Sequence, residues 1–178
     1  MEPMVPGSTC IDFAPTAQAP VPGAVVLQKD TLASSCNRVA VDVVVRNVSD
    51  IHAAAFRLRY RTAGSTLVSY IEHELRDETV LDAGPTSVIV QQVETSPGVL
   101  DIGITRQPGN PCVGPTGVSV GDAPQIVARL LFTQNSQSVS GTSALTFESP
   151  APELRNSQCP PQVIPTGSLW PAGTLVVQ

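Results

Sequence analysis

Residues 38–61 read RVAVDVVVRNVSDIHAAAFRLRYR, and the alternation in this stretch decides the fold. Val39, Val41, Val43 and Val45 fall on one side of a two-residue repeat, with Ala40, Asp42, Val44 and Arg46 on the other. A polar break follows at Asn47-Val48-Ser49-Asp50. The repeat then resumes, with Ala54, Phe56, Leu58 and Tyr60 on one side and Ala55, Arg57, Arg59 and Arg61 on the opposite one. Successive side chains of a strand point to opposite faces, so each run buries one set and exposes the other. The stretch therefore reads as two strands joined by a short polar turn, with a row of arginines on the open face of the second.

Outward from this pair, further strands are expected at 24–28, 66–71, 87–93 and 99–104, then at 125–132, 143–147 and 173–177. Gly, Pro, Asn and Ser clusters such as Ser96-Pro97-Gly98 separate them as turn signals. Many short strands without an alternating strand–helix rhythm predict an all-β, antiparallel sandwich of about nine strands rather than a parallel sheet. Residues 1–23, rich in Pro and Ala, read as a leader or linker, and 24–178 as a single sandwich domain. Residues 72–81, EHELRDETVL, carry helix formers and fit a single helical turn or a continued strand. The loop from 106 to 123 is long for a compact domain.

Composition narrows the function. The chain has 178 residues, 42 % of them hydrophobic and 14 % charged, which suits one globular domain with a substantial core. A net charge of −5 argues against nucleic acid, whose recognition needs a basic footprint. No stretch approaches the roughly 20 apolar residues of a membrane-spanning helix. The opening MEPMVPGSTC has no basic end and no apolar core, so it does not read as a signal peptide.

Cys10, Cys36, Cys112 and Cys159 each sit beside loop-forming residues and make no C-x-x-C pair, which argues against zinc. They read as two disulfides in an oxidising compartment, that is, secreted, periplasmic or cell-surface. Three pairings are open; Cys10–Cys36 with Cys112–Cys159 is the one expected. Buried unpaired thiols are the alternative.

Chemistry is sparse. His52 and His73 are the only histidines, and both are expected at the surface. No G-x-S-x-G elbow, nucleophile–base pair or ligand cluster is legible, so neither an enzyme, a cofactor nor a metal is expected. Asp101 and Asp122 lie in no alternating oxygen-ligand loop. Trp170, the only tryptophan, and Tyr60 and Tyr70 are too few for a sugar-stacking platform, and Trp170 is expected in the core or anchoring a loop. Arg57, Arg59 and Arg61 would stand about 7 Å apart along one face. They fit an acidic-partner or carboxylate-recognising surface, or a solvated face with cross-strand partners such as Asp42 or Asp101.

The order of these segments resembles a cohesin module. The residues that carry the likeness are Val41 to Val48 followed by Ala54-Ala55-Phe56-Arg57-Leu58-Arg59-Tyr60, then Thr66-Leu67-Val68 and Val99 to Ile104. Ile126 to Phe132 and the closing Gly173-Thr174-Leu175-Val176-Val177 complete it. Arg61-Thr62 stand where the family commonly carries Asp-Pro after the Tyr. The resemblance implies a nine-stranded jelly-roll sandwich in a secreted or surface context. It also implies a non-catalytic role in binding a dockerin-like protein, or another surface protein, through one sheet face that includes 53–61. A carbohydrate-binding module taking polysaccharide, and a structural spacer of a larger bacterial surface protein, are the alternatives.

Overall fold

The computed structural model describes residues 9–16, 23–71, 79–82, 88–107, 117–136, 139–166 and 170–178. Its strands are β1 Ile11–Pro15, β2 Val25–Ser35, β3 Arg38–Val45, β4 Val48–Ile51, β5 Ala53–Arg59 and β6 Val68–Ile71. They continue with β7 Val88–Ser96, β8 Val99–Arg106, β9 Val118–Val120 and β10 Gln125–Gln134, then β11 Gly141–Arg155, β12 Val163–Ile164 and β13 Gly173–Val177. The larger sheet runs β1-β13-β11-β5-β8-β7, with β12 beside β11. The second runs β2-β3-β10-β6, and β4 pairs with β9. The strand pairs are antiparallel, as in β5–β8, β3–β10 and β1–β13. The protein is an all-β antiparallel sandwich.

The alternation of 53–61 is realised as read. Ala54, Phe56, Leu58 and Tyr60 are buried, and Ala55, Arg57, Arg59 and Arg61 face outward or lie half-buried. Across the core they meet β3 and β10, where Val39, Val41, Val43, Leu130 and Phe132 are fully enclosed. One aromatic group joins Tyr60, Tyr70 and Phe132, with ring centroids 5.5–6.4 Å apart. Another joins Phe56, Phe147 and Trp170 at 5.2–5.8 Å. Such offsets suit the quadrupoles of the rings. Trp170 is thus a core residue whose Nε1–H donates to Thr166 at 3.1 Å.

Several expectations need correction. The two strands of 38–61 do not share a sheet, because the chain crosses the sandwich between them. Asn47 (φ 49°) and Asp50 (φ 60°) take the left-handed conformation that Asn and Asp tolerate best. Between them Val48–Ile51 is itself a strand, paired with β9 inside the loop 106–123. Gly117 abuts this crossing so closely that a Cβ there would lie 2.4 Å from the Asp50 carbonyl carbon.

The second face of β3 is also buried rather than open, with Ala40, Asp42 and Val44 all enclosed. β3 is an inner strand, and Arg129 on β10 reaches across this face. Its guanidinium bonds Asp42 through Nε and Nη2, at 2.8 and 3.0 Å, and bonds Asp30 on β2 through Nη2. A buried charge is tolerable only when so paired. Asp42 is therefore no partner of the arginine row, which belongs to the other sheet.

The leader expected over 1–23 contains a sandwich strand. Ile11 and Phe13 are buried, and β1 pairs with the last strand from Ile11–Val177 to Pro15–Gly173. The apolar spacing Ile11-x-Phe13 was too short a signal to stand out among prolines. Cys10 forms the expected disulfide with Cys36, tying β1 to the β2–β3 connection. Cys159 is disulfide-bonded too, while Cys112 lies outside the described residues. Of the segment 72–81, residues 72–78 lie outside them as well, and Val80–Asp82 form a 3-10 turn that buries Leu81.

Replacing Arg129 with Ala leaves two acidic groups on a covered sheet face without their counter-charge. The expected cost is about 3–5 kcal/mol of stability, read as a lowered midpoint in chemical denaturation. A change within error of zero would show that the charges are solvated instead.

Candidate protein-binding face

β5 and β8 lie side by side with Arg57 opposite Asp101 and Ala55 opposite Gly103, and β7 and β11 flank them. This register places the outward side chains of four strands, β11-β5-β8-β7, on one surface. Arg57 holds Asp101 with two parallel bonds, Nε to Oδ1 at 2.6 Å and Nη2 to Oδ2 at 2.7 Å, and its Nη1 donates to the Ser149 carbonyl at 3.2 Å. Arg59 grips Glu148 on β11 in the same two-pronged way. Arg155 pairs with Glu153 at 2.6 Å.

Arg61 lies beyond the end of β5 and leaves the row. Its guanidinium stacks 5.4 Å from the Tyr60 ring centroid, and it donates to the Val68 carbonyl and, at 3.5 Å, to Glu94. The three arginines therefore do not form one open cationic row. Each carries its own acid, so the surface is a ladder of cross-strand ion pairs with little net field. Of the two acids expected opposite the arginines, Asp101 is found there, on Arg57, and Asp42 is not; Glu148 and Glu94 are the acids on Arg59 and Arg61.

The electrostatics agree with the geometry. The Arg57 hydrogen bonds, outweighing partial burial, hold the Asp101 carboxyl below the usual range, and Asp101 in turn raises Arg57. Glu94 is lowered first by the Gly98 amide, which donates at 2.7 Å, and then by Tyr60 and Arg61. Burial, together with the hydrogen bond to Glu94, pushes the Tyr60 phenol up to about 12, so it stays a neutral donor.

Between the ion pairs lies a groove of about 540 Å³. Ala55 and Gly103 form its floor, Gln91 and Val93 line it on the β7 side, and Pro150, Ala151, Glu153 and Arg155 line the other. A Cβ added at Gly103 would meet nothing within 4 Å. The second wall exists because β11 breaks register between Glu148 and Glu153, so Pro150 and Ala151 leave the ladder. Proline cannot donate to a ladder, and a bulge is where a strand accepts it. The groove is not legible in the sequence pattern, because two small residues on neighbouring strands show no periodicity. The usable signals were Ala53-Ala54-Ala55, Gly103 and the Pro150/Pro152 pair.

The remaining candidates lie elsewhere. His52 is buried rather than exposed, with its amide donating to the Arg155 carbonyl and its carbonyl accepting from Arg106. His73 lies outside the described residues. Asp122 accepts from Asn47 at 2.9 Å and pairs with Arg46, and Asp101 belongs to Arg57. Of the four Phe, two Tyr and one Trp of the chain, all described, none is exposed. Phe13, Phe56, Tyr60, Phe132 and Trp170 are buried in the core, and Tyr70 and Phe147 pack half-buried against it.

Against solved structures the likeness is one of architecture. The type II cohesin–X-dockerin complex from Acetivibrio cellulolyticus matches over 82 % of this chain and 92 % of the other, at 14 % identity and a TM-score of 0.53. The seventh ScaB type I cohesin from Pseudobacteroides cellulosolvens matches over 85 % and 88 %, at 16 % identity and a TM-score of 0.56. The fold is cohesin-like. CaCohA2 from Clostridium acetobutylicum gives 22 % identity over 79 % and 83 %, with a TM-score of 0.51. No protein-family model and no curated protein matches the chain.

Two outcomes are expected, one from paired acids on both sheets and one from the turn between β7 and β8. Asp101, Glu94 and Asp30 (for the last, burial is the largest single influence and raises it, but the amides of Ala33 and Leu32 and the charge of Arg129 together outweigh it) all have lowered folded-state values. Their contribution is complete above the unfolded carboxylate range of about 4 and is lost as pH falls through the lower folded values. The denaturation midpoint is therefore expected to hold from neutral pH to about 5 and fall below about 4, more shallowly in Asp101→Asn. Gly98→Ala is expected to cost about 1–3 kcal/mol, because φ is +85° and the new Cβ would lie 2.6 Å from the Arg61 carbonyl oxygen. An unchanged melting temperature would show that the turn can rearrange.

Proposed function

We propose that this chain is a cohesin-type, non-catalytic protein-binding module that works outside the cytoplasm. Its partner engages the outer face of β11-β5-β8-β7. The observation that carries this reading is the groove over Ala55 and Gly103, rimmed by Arg57–Asp101 on one side and Arg155–Glu153 on another. An apolar floor with a few fixed polar groups suits a small side chain of a protein partner, the ion pairs setting its orientation. Arg57 acts here at the rim and Arg59 beside it, each with its charge already met, while Arg61 is turned away toward Tyr60, so recognition depends on shape more than on an acidic partner.

The partner is of dockerin type. This rests on the cohesin-like fold and on the neighbour solved with a dockerin. The Cys10–Cys36 disulfide supports an oxidising compartment. The absence of an exposed aromatic disfavours polysaccharide.

The test is capture on the immobilised, oxidised domain of secreted and envelope proteins of the source organism, with and without a calcium chelator, beside a Gly103→Arg variant that fills the groove. A protein retained only with calcium and weakened by about tenfold or more in the variant is the expected result. Retention regardless of calcium removes the dockerin assignment. Equal retention by both domains removes the face, and no retention removes the binding function.

A further inference from the structure

The edges of the two sheets are not alike. β1 has five residues and ends in Pro15. β6 has four. β2 breaks register between Asp30 and Ser35 and carries Lys29 and Asp30, which pair with Asp12 and Arg129. Shortness, proline, bulges and charge are the means by which a sheet edge is kept from pairing with another chain. β7 has few of them. It runs nine residues, VIVQQVETS, without Lys, Arg or Pro. Among the described residues it pairs only with β8, and its one irregularity lies at its far end, between Glu94 and Ser96. Its one charge, Glu94, is engaged by Gly98, Tyr60 and Arg61. Two of the five large exposed hydrophobics among the described residues, Ile89 and Val93, stand on this strand.

Their spacing singles out one pairing. Ile89 and Val93 flank Gln91 at equal distance and share its face. We propose that β7 pairs antiparallel with β7 of a second copy of this chain, about a twofold axis through Gln91. Ile89 then lies across from Val93 of the second copy, Val93 across from its Ile89, and Gln91 across from Gln91. Glu94 falls opposite Val88, so the strand's charge meets no like charge. Other registers lose this match. A shift of the axis to residue 90 or 92 sets Ile89 or Val93 against Gln91, an axis at residue 94 brings the two Glu94 side chains together, and a one-residue slip turns the outer face of one copy against the inner face of the other. A closed twofold interface uses the same patch on both subunits, which an edge strand of this symmetry supplies. The two outer faces become continuous, and both grooves open on the same side. The pairing stands independently of what occupies the groove.

Sedimentation velocity of the full chain over a concentration series tests it. A monomer–dimer equilibrium is expected. Val93→Lys, which places ammonium groups against Ile89 of the second copy, raises the dissociation constant about tenfold or more. Gln91→Lys, which sets two lysines face to face on the axis, does the same. Both sites are exposed, so either variant keeps its fold, as checked by an unchanged melting temperature. Leu32→Lys, at a still more exposed site on the β2 edge, leaves the constant unchanged. A monomer at every concentration, or lysine at 91 and 93 dimerising as the native chain does, overturns the proposal. So does a Leu32→Lys defect as large as that of Val93→Lys.

Discussion

The register between β5 and β8 is the constraint on which the rest of the molecule depends. Leu58 opposite Leu100 and Phe56 opposite Ile102 close the core, and the intervening pairs, Arg57–Asp101 and Ala55–Gly103, build the outer face. Side chains alternate strictly, so core and face are one choice and not two. A slip of a single residue would drive Arg57 and Asp101 inward and push Phe56 into water. The cost of either is large compared with the few kcal/mol that hold a domain together.

That register also converts charge into geometry. In an acidic chain a run of Arg57, Arg59 and Arg61 suggests a free cationic patch. The neighbouring strands deliver Asp101 and Glu148 to the first two, and the third turns aside to Tyr60, Val68 and Glu94. Guanidiniums locked in two-pronged pairs are held rigidly, and the surface between them is left uncharged. What stands out on the face is then the hollow over two small residues, not the cations around it. On the opposite sheet the same chemistry serves burial instead, with Arg129 shared by Asp30 and Asp42.

The chain closes on itself through its first described strand. β1 lies at the end of the larger sheet beside β13. Cys10 and Gln178 exchange backbone bonds at 2.6 and 2.9 Å, and the Cys10–Cys36 bridge links this corner to the other sheet. Lys29 on β2 reaches Asp12 on β1 across the same corner. The edge at β7 has no comparable closure among the described residues. This asymmetry follows from where the charges, prolines and cysteine fall along the chain.

The sequence by itself determined the all-β class, the places of nine of the strands though not their ends (β2 and β11 run well past 24–28 and 143–147), and the inward set of β5, because a two-residue repeat of apolar side chains has few other ways to be buried. It also carried the cohesin likeness and the Cys10–Cys36 pairing as readable expectations. Tertiary structure alone decided the strands that are too short or too proline-flanked to show a repeat: Ile11–Pro15, Val48–Ile51, Val118–Val120 and Val163–Ile164. It also decided that β3 is covered on both faces and that His52 is buried. Which acid meets which arginine, and that Ala55 and Gly103 fall side by side, are set by pairing between strands 44 and 48 residues apart in the chain. Local alternation carries no record of such distant registers, because the period says which face a side chain takes and not what stands beside it.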